Sequence, residues 1–588
     1  MARGLPSGPL SLTGKQWVLL DCDERERAEL VDAAGVSPVT AHLLLNRGIS
    51  DPRLVREFLE PDLSRLHDPD LLPDIGKAVA RVRQALEKRE KILVYGDYDA
   101  DGVTSTALLL QFFGLLGAEA SHYIPHRVDE GYGLNLEAVD AAAAEGVGLI
   151  VTVDCGTSAV EEVARARELG IDVVITDHHE PPQSVPRALA VVNPKLTGSL
   201  YPFRELSGVG VAFKLAWAVA QSFSPGKRVS EEFRRFLLDA IGLVAVGTVA
   251  DVVPLKGENR IFAVYGLSAL RQSQSAGIAA LIRQAGVSDR RLTPSDISFK
   301  IGPRLNAAGR MAEAGLCVEL FMCDSATRAA EIATELDEKN RQRRRIQAGI
   351  LAEARERLAE VDDWERRRSI VLADEGWHAG VLGIVASKLT EEFYRPTILL
   401  SLDEEVGRGS ARSVPQFNLF EAIEACGDAL LSYGGHRAAA GVKVARGRLE
   451  EFQHLFEEEA RRRLADWEPC GQVEIDAEVA LGAVGRGLIR ELARLEPFGQ
   501  GNRPPVLACS DVVVAGRPRL MGRGGEHVSC YVRQGEGSLR AVGFRMGSIY
   551  EEIAAGGVVC DIAFTPKLNS FRGVEEVELE LRDIRLRQ

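Results

Sequence analysis

The sequence predicts a mixed α/β protein: a parallel-sheet domain joined by a long helix to a smaller α/β domain, with a β-barrel at the C-terminus. Three observations predict this fold. Short apolar runs alternate with helical stretches over residues 90–255, one long helical pattern follows, and short alternating strands broken by glycines come last. A chain of 588 residues is also too long for a single hydrophobic core.

Five apolar runs in the first half are typical of buried parallel strands. They are KILVYGDYD (91–99), VGLIVTVDCG (147–156), IDVVITDHH (171–179), LAVVNP (189–194) and LVAVGTVADVV (243–253). Helices are predicted between the first three runs, over 104–120 and 158–170. Because this alternation indicates a mostly parallel sheet, we expect the functional residues just past the carboxyl ends of the strands.

The second half continues with a polar, alanine-rich stretch over 325–360, which predicts one exposed helix that bridges two domains. A strand over 368–374 and a helix over 380–393 then start the smaller α/β domain. From about residue 470 the alternating strands predict a small barrel, for which we expect the OB-fold. The predicted segments are an N-terminal helical region (1–75), the parallel-sheet domain (76–324), the linker helix (325–365), the smaller α/β domain (366–460) and the barrel (471–588).

Composition narrows the class of protein. Hydrophobic residues make up 46% and charged residues 27%, as in ordinary globular proteins. No apolar run reaches the ~18 residues of a membrane helix, and the start of the chain has no secretory apolar segment, so we expect a cytoplasmic protein without membrane contact. The nine cysteines show no CxxC pair, which favours reduced thiols. The net charge of −14 is unusual for a nucleic-acid binder, but a carboxylate-rich metal site or a locally basic groove is compatible with it.

Aspartates and histidines follow four of the predicted strands. They are Asp97, Asp99 and Asp101 in GDYDADG, Asp154 in TVDCG, Asp177, His178 and His179 in TDHH, and Asp251 in VADVVPL. Each has an ordinary alternative, such as a helix cap or an acidic turn. Carboxylates gathered at one sheet edge, however, repel each other unless cations offset their charge. The set therefore predicts a dinuclear manganese or magnesium site, with ions about 3.5–4 Å apart, that activates water against a phosphodiester.

These four motifs, in this order, resemble those of the DHH phosphoesterase superfamily. Further motifs are similar to those of the RecJ family of single-stranded-DNA-specific 5′-to-3′ exonucleases: LLNRGISDP (44–52), IPHRVDEGYGL (124–134), GPRLNAAGRM (302–311), GWHAGVLGIVASKL (376–389), GRGSARS (407–413), GGHRAAAGV (434–442) and EPFGQGNRPPVL (496–507). The resemblance covers nearly the whole chain. It implies a DHH domain, a DHH-associated domain at 366–460 and a metal-dependent exodeoxyribonuclease that releases mononucleotides during recombination and DNA repair. Implied partners are single-stranded DNA, single-strand-binding protein and a helicase, with the enzyme itself a monomer.

The resemblance also implies roles for the matching positions at the metal site. The implied metal ligands are Asp97, Asp99, Asp101, Asp154, His178 and Asp251, with Asp154 as the bridge. Asp177 would orient a histidine and His179 would face the scissile phosphate. Relatives that cleave pyrophosphate or short oligonucleotides carry a histidine where this chain has Leu93. One ligand must then come from elsewhere; Asp101 is the candidate, acting either directly or through water.

A second set of matching positions is implied to bind the substrate. Arg127, Ser410 and Arg412 match the clamp on the terminal 5′-phosphate, Arg304, Asn306 and Arg310 would hold the scissile or neighbouring phosphates, and His436 would lie at the same cleft or serve packing. A guanidinium suits the clamp because its fork fits phosphate oxygens bidentately. For Trp377 we expect core packing rather than base stacking.

The barrel is expected to lead the single strand into the cleft, through a basic rim and stacking aromatics. The rim candidates are Arg517, Arg519, Arg523, Lys567 and Arg572, and the candidate stacking residues are Tyr531 and Phe571. The basic run at 341–345 on the long helix either faces solvent or lines the channel.

Two other functions remain open. The chain could be a DHH phosphodiesterase for cyclic dinucleotides or short oligoribonucleotides, but such proteins usually end after the DHH-associated domain, whereas a barrel follows here. It could also be an inactive replication scaffold. Such relatives have lost motif carboxylates, and this chain retains them.

Overall fold

The structure, a computed structural model, describes residues 5–7, 9–127, 130–224, 226, 228–311, 313–571 and 574–587. Its strands form a parallel sheet, a mixed sheet, a barrel and a small three-stranded sheet. None of the described helices combines the length and the apolar composition needed to cross a membrane.

The parallel sheet confirms four of the predicted strands and adds one at its edge. Its strand order is Ala120–Tyr123, Lys91–Gly96, Val147–Val153, Asp172–Thr176 and Ala190–Val192. Helices cover both faces: Ile75–Lys88, Ala100–Leu115, Gly208–Ser222 and Glu231–Ala250 lie on one side, and Leu136–Ala144 and Val160–Glu168 on the other. All five strands therefore end at one edge, which is where the acidic motifs begin.

The strand predicted over 243–253 is wrong, because residues 243–250 form the end of the helix Glu231–Ala250 and residues 251–253 follow it. This helix packs against the helices Ala100–Leu115, Gly208–Ser222 and Gly257–Gln272, so its C-terminal half is apolar on every side. A short apolar run in that setting has the same pattern as a buried strand. The signal that was missed lies upstream, where the Ser230 side chain caps the helix by accepting the Phe233 N–H.

The N-terminal region contains a strand in addition to the predicted helices. It contains the helices Glu24–Ala34, Pro38–Asn46 and Pro52–Leu59, but also the strand Lys15–Leu19, which pairs in parallel with Gly471–Ile475 near the barrel. The three helices share one hydrophobic core with the barrel. The two ends of the chain therefore form one packed unit.

The long helix is confirmed and runs from Ala326 to Ala359. Its predicted exposure is wrong in part: one side of the helix is buried because it packs on the helices Ala276–Gln284, Gly302–Met311 and Ala379–Phe393. Short helices at Pro294–Asp296 and Gly315–Met322 complete this half of the chain. The long helix thus connects the parallel-sheet domain to the smaller one through buried contacts.

The smaller α/β domain is built on a mixed sheet. Its strand order is Ser432–Gly435, Ala439–Ala445, Val406–Arg412, Thr397–Leu402 and Ile370–Asp374, and only the last two strands are parallel to each other. Its helices are Ala379–Phe393, Leu419–Ala425 and Leu449–Arg463. The predicted strand at 368–374 and helix at 380–393 are confirmed.

The C-terminal barrel confirms the OB-fold prediction. Its strands, in order around the barrel, are Leu507–Met521, His527–Gln534, Gly537–Gly543, Val574–Leu586 and Val559–Phe571. The barrel closes because the first strand also pairs with the last of these. The helices Arg486–Leu492 and Tyr550–Ile553 and the short strand Ala477–Glu478 complete the region.

Candidate active site

The acidic and histidine residues of the first half converge at the carboxyl edge of the parallel sheet. The Nε2 atom of His178 lies 3.1 Å from Asp154 Oδ1, 3.6 Å from Asp251 Oδ2 and 3.9 Å from Asp101 Oδ2. Asp251 reaches this edge from the end of a helix rather than of a strand, which corrects the prediction of a fourth strand end. The side chains themselves lie together as expected.

Three overlapping groups at this edge could each hold a metal ion, since their ligand atoms lie within 4.8 Å of one another. The groups are Asp154, His178 and His179; Asp101, His178 and Asp251; and Asp97, Asp99 and Asp154. Asp154 and His178 each belong to two of them. The arrangement is that of two adjacent cation sites joined by shared ligands.

Several buried atoms of this cluster have no hydrogen-bond partner. They are Asp97 Oδ1, Asp154 Oδ1 and His178 Nε2, the last being close to Asp154 without aligning for a hydrogen bond. Buried polar atoms in folded proteins are nearly always paired, and a buried carboxylate without a partner is costly. Oxygen and imidazole donors are also the set that manganese and magnesium accept. The cluster therefore fits divalent cations.

The protonation behaviour of the cluster agrees with this fit. Burial and then the charge of Asp99 raise the pKa of Asp101 to about 7, and burial and then Asp101 raise the pKa of Asp251 to about 9. Burial likewise raises the pKa values of Asp97 and Asp154 well above the ordinary range. Burial and the neighbouring His179 lower the pKa of His178 to about 3. His178 is thus a neutral imidazole, and the carboxylates need positive charge to ionise together.

A hydrogen-bonded group of three side chains borders the cluster. His179 Nδ1 lies 2.8 Å from Asp177 Oδ1 and 3.0 Å from the hydroxyl of Tyr132, which also donates to the backbone oxygen of Asp154 at 3.1 Å. Burial opposes both charges, but the contact between the two side chains lowers the pKa of Asp177 and raises that of His179. Asp177 therefore orients His179, as predicted. The sequence analysis did not predict a role for Tyr132, although this residue lies in the motif IPHRVDEGYGL.

Two glycines allow the helices behind the cluster to approach it closely. A Cβ atom on Gly208 would lie 2.5 Å from Asp154 Oδ1, and one on Gly247 would lie 2.5 Å from Asp101 Oδ1. Asp101 accepts hydrogen bonds from the backbone N–H groups of Gly208 and Val209, at 2.7 and 2.9 Å. Its two oxygens thus hold the N-terminus of the helix Gly208–Ser222. Only the glycine pattern in SGVGVAF could have indicated this from the sequence.

A group of arginines lies beside the acidic cluster. Arg127 stacks over Tyr98 at 4.7 Å, and Arg310 donates to the Gly380 carbonyl at 2.8 Å. Burial and the charge of Arg127 lower the pKa of Arg310 to about 9, and the same two causes lower the pKa of Arg412. Among the described residues, none of the three forms an ion pair with a carboxylate. Three adjacent guanidinium groups that lack a carboxylate partner in the described part of the chain favour an anionic ligand.

The remaining substrate candidates of the small domain lie on or near its sheet. The Ser410 hydroxyl and the Arg412 guanidinium both lie against Gly383, where a Cβ atom would be 3.3 and 2.7 Å from them. These two side chains therefore lie close together, and their predicted role as a phosphate clamp stays a prediction. His436 lies exposed at a hairpin turn, and its backbone N–H donates to the Ala439 carbonyl at 2.8 Å. No contact of its side chain with the acidic cluster is present among the described residues.

Two residues of the PRLNAAGR segment have structural partners. Asn306 Oδ1 accepts the backbone N–H of Ala100 at 2.7 Å, which fixes the turn that carries the first aspartates. Arg304 pairs with Asp337 of the long helix at 2.7 Å and donates to the Lys300 carbonyl at 2.6 Å. The structure therefore places Arg304 in an internal ion pair rather than with the other arginines.

The remaining sequence candidates lie either in the core or on the surface of the protein. Trp377 is 3% exposed and its Nε1 donates to Glu353, so the expected core role is confirmed. Leu93 is buried in the core. Exposed side chains at the barrel include Arg517, Arg519, Arg523 and Tyr531, while Lys567 pairs with Glu580. Arg572 and the side chain of Phe571 lie outside the described residues. In the run 341–345, Arg343 is buried and the others are exposed.

Comparison with protein families gives three matches along the chain. Residues 91–248 match the N-terminal domain of the DHH family, residues 367–462 the DHHA1 domain and residues 475–583 the RecJ OB domain. The first match contains every residue of the acidic cluster except Asp251, which lies three positions beyond its end, and the last match contains the barrel.

Individual relatives match over nearly the full length. The single-stranded-DNA-specific exonuclease RecJ of Bacillus subtilis is 37% identical over 97% of this chain and 70% of the relative, and that of Haemophilus influenzae is 34% identical over 92% and 96%. The crystal structure of RecJ from Thermus thermophilus in complex with Mn²⁺ is similar with a TM-score of 0.82, at 31% identity over 97% of this chain and 80% of that one. On this likeness in sequence, domain content and fold, the chain belongs to the RecJ family.

Proposed function

We propose that this protein is a metal-dependent exodeoxyribonuclease that degrades single-stranded DNA from its 5′ end to mononucleotides, in recombination and DNA repair. The observation that carries the proposal is the pair of carboxylates, Asp97 and Asp154, and the imidazole of His178, each with a buried ligand atom that lacks a hydrogen-bond partner. Membership of the RecJ family supports the substrate, since the relatives are named as single-stranded-DNA-specific exonucleases.

Two divalent cations, manganese or magnesium, are the proposed cofactors. Asp97, Asp99 and Asp154 would hold one. The other would lie between Asp154, His178 and Asp251, where the two carboxylates are 3.1 and 3.6 Å from His178 Nε2, so that Asp154 is shared. When bound, the ions supply a water of lowered pKa and neutralise charge on the phosphate oxygens. Because Asp101 already accepts two backbone hydrogen bonds, we assign it to orienting the site rather than to direct ligation.

The chain's own side chains would position the substrate around these ions. Asp177 keeps His179 oriented through the 2.8 Å contact at Nδ1, so that the ring can face the scissile phosphate. Arg127, Arg310 and Arg412, with Ser410, provide the positive charge and the hydroxyl that a terminal 5′-phosphate requires. A clamp that binds a terminal phosphate determines which end of a strand enters. This arrangement accounts for 5′-to-3′ direction.

The barrel is the proposed entry platform for the single strand. Exposed Arg517, Arg519 and Arg523 and exposed Tyr531 offer the charge and the aromatic surface on which single strands bind OB-folds. His436 remains a proposed cleft residue on family resemblance alone. Single-strand-binding protein and a helicase are the proposed partners of a monomeric, cytoplasmic enzyme.

One experiment tests the proposed activity against the two alternatives. The protein is incubated with Mn²⁺ and a 5′-phosphorylated single strand, the matching duplex or a cyclic dinucleotide, and products are resolved by chromatography. Stepwise mononucleotide release from the single strand alone is expected. Preferred cleavage of the cyclic dinucleotide would favour a small-nucleotide phosphodiesterase. Absence of hydrolysis on every substrate, with Mn²⁺ binding shown by calorimetry, would indicate an inactive scaffold.

A further inference from the structure

The loop Glu496–Asn502, which precedes the barrel, packs directly on the segment that follows Asp251. The backbone N–H of Leu255 donates to the Gln500 carbonyl at 2.8 Å. A Cβ atom on Gly499 would lie 2.6 Å from Leu255 Cδ1, and one on Gly501 would lie 3.2 Å from Pro254 Cβ. Both contacts are closer than an ordinary Cβ contact, and Gly501 also has a φ of 69°, so a larger residue at either position would push the neighbouring side chain away or strain the backbone.

A buried arginine of the parallel-sheet domain holds this loop in place. Arg260 is 2% exposed and stacks over Phe58 at 3.9 Å. Its guanidinium donates to the carbonyls of Phe58 at 2.8 Å, Leu495 at 3.0 Å and Glu496 at 2.6 Å. Removing a buried guanidinium charge from water is costly, so these carbonyls must remain in position around it. Arg260 thus fixes the start of the loop.

The other end of the loop is fixed from the N-terminal region. Asn502 is fully buried; its amide donates to the carbonyls of Leu495 at 2.8 Å and Pro497 at 2.9 Å, and its oxygen accepts from Arg47 at 2.8 Å. Lys256 in turn donates to the Arg47 carbonyl at 3.1 Å. The loop and the segment after Asp251 are therefore both hydrogen-bonded to Arg47, at the end of the helix Pro38–Asn46.

The segment behind Asp251 requires such support. Val252 has a φ of 63°, in the left-handed region, which is unfavourable for a β-branched residue. A backbone in this conformation persists only where its surroundings impose it. On the N-terminal side, the Asp251 N–H donates to the Gly247 carbonyl at 2.9 Å. On the C-terminal side the restraint comes from the contact between Leu255 and Gln500.

We propose that the loop Glu496–Asn502 is a positioning element for the proposed metal ligand Asp251, so that docking of the C-terminal region sets the affinity of one of the two metal sites. This inference rests on the proposed function, because it takes Asp251 as a ligand. Gly499 and Arg260 act through Asp251 and are not themselves in contact with metal or substrate.

The test is Mn²⁺ binding to the full-length protein carrying Gly499→Leu, measured by calorimetry and by electron paramagnetic resonance of free Mn²⁺. The added side chain must displace Leu255. We expect affinity at one of the two sites to fall at least tenfold, with the second site unchanged. Gly487→Leu is the matched control, because a Cβ atom there meets nothing within 4 Å. Should Gly499→Leu fail to fold, Gly499→Ala carries the same test with a smaller displacement.

Two further variants separate positioning from general destabilisation. Asp251→Asn combined with Gly499→Leu should bind Mn²⁺ no more weakly than Asp251→Asn alone, because both act through one carboxylate. Leu255→Ala should restore affinity to Gly499→Leu by making room. Either of two results would overturn the inference alone. One is that the losses of Mn²⁺ affinity add in the double variant. The other is that Gly499→Leu keeps full Mn²⁺ affinity while Asp251→Asn binds Mn²⁺ more weakly. Unchanged Mn²⁺ binding by Asp251→Asn would overturn the proposed site and the inference with it.

Discussion

Asp101 accepts the backbone N–H of Gly208 at 2.7 Å, and this contact joins the first acidic motif to the N-terminus of the helix Gly208–Ser222. The second oxygen of the same carboxylate accepts the N–H of Val209. A negative charge at a helix N-terminus is stabilised by the backbone dipoles that end there. Asp101 is therefore a structural carboxylate within the acidic cluster.

Asp101→Asn should consequently lower the free energy of unfolding. A hydrogen bond that involves a charged group contributes about 1.5–3 kcal/mol, and the amide cannot accept through both of its terminal atoms. Denaturant unfolding in saturating Mn²⁺ measures this loss, because bound cations offset the repulsion that raises the pKa of Asp101 without metal. The expected loss of Mn²⁺ affinity is smaller than that of Asp154→Asn. Equal losses of affinity in the two variants would instead assign Asp101 as a direct ligand.

Asp154→Ala should abolish turnover while single-strand binding persists. Asp154 is shared by two of the candidate metal groups, so its loss affects both sites at once. We expect cleavage to fall by at least about 1,000-fold, which corresponds to ~4 kcal/mol of the barrier. Binding of a fluorescent single strand in EDTA serves as the control. A variant that binds DNA poorly would show that Asp154 supports the fold more than the chemistry.

Arg412→Ala should reduce the preference for 5′-phosphorylated ends more than it slows cleavage of ends without phosphate. Charge-assisted hydrogen bonds contribute about 1.5–3 kcal/mol, so the preference should fall by about 10- to 100-fold. The measurement is the ratio of kcat/KM for the two kinds of end. Arg446→Ala is the matched control in the same domain, since Arg446 pairs with Glu375 on the surface. An equal effect on both ends contradicts the assignment.

Arg304 offers a choice between its predicted phosphate contact and its observed ion pair. Breaking a partly or fully buried pair by removing one partner costs about 3–5 kcal/mol, and the side chains of Arg304 and Asp337 are 12% and 6% exposed. Because the exposed Arg341 also pairs with Asp337 at 2.7 Å, the carboxylate keeps one partner, and we expect Arg304→Gln to lower the free energy of unfolding by less than that amount. Its ratio of phosphorylated to unphosphorylated cleavage should stay unchanged. A changed ratio with normal stability would restore the phosphate role.

Stability without metal should fall as the pH rises. The folded pKa values of Asp101 and Asp251, about 7 and about 9, lie above the ordinary aspartate value, so the folded state binds more protons than the unfolded state. The favourable contribution of these two groups to the free energy of unfolding is fully present below about pH 4 and is lost progressively up to about pH 9. Thermal unfolding in EDTA against pH measures the decline. Stabilisation by Mn²⁺ should increase over the same range, because ionised ligands bind it best.

Much of the site could be predicted because it follows one rule of parallel sheets. Asp97, Asp154 and His178 each follow an apolar strand, and neighbouring parallel strands end at the same edge. Asp251 was placed correctly for the wrong reason, since a helix that is apolar on every side has the composition of a buried strand. The proposed ligand set and the predicted domain boundaries stay predictions.

Other features depend on contacts between distant parts of the chain, which a single sequence does not show. The carboxylate of Asp337 decides where Arg304 points, yet it lies on another helix. The hydroxyl of Tyr132 reaches His179 only because the loop that carries it folds back over the sheet edge. In the N-terminal region, the strand Lys15–Leu19 has its partner at Gly471–Ile475, which no local pattern indicates.

The hydrophobic core that the N-terminal helices share with the barrel has a consequence for biosynthesis. The helices Glu24–Ala34, Pro38–Asn46 and Pro52–Leu59 leave the ribosome before the two central domains, but the barrel residues that complete their core are synthesised after both domains. Their apolar faces must therefore stay uncovered while the two central domains are made. Domains fold as they emerge, and uncovered apolar surface is what chaperones bind and what aggregates. The start of this chain is thus its last part to fold, and ribosome-bound intermediates should expose it to protease until the final strand is released.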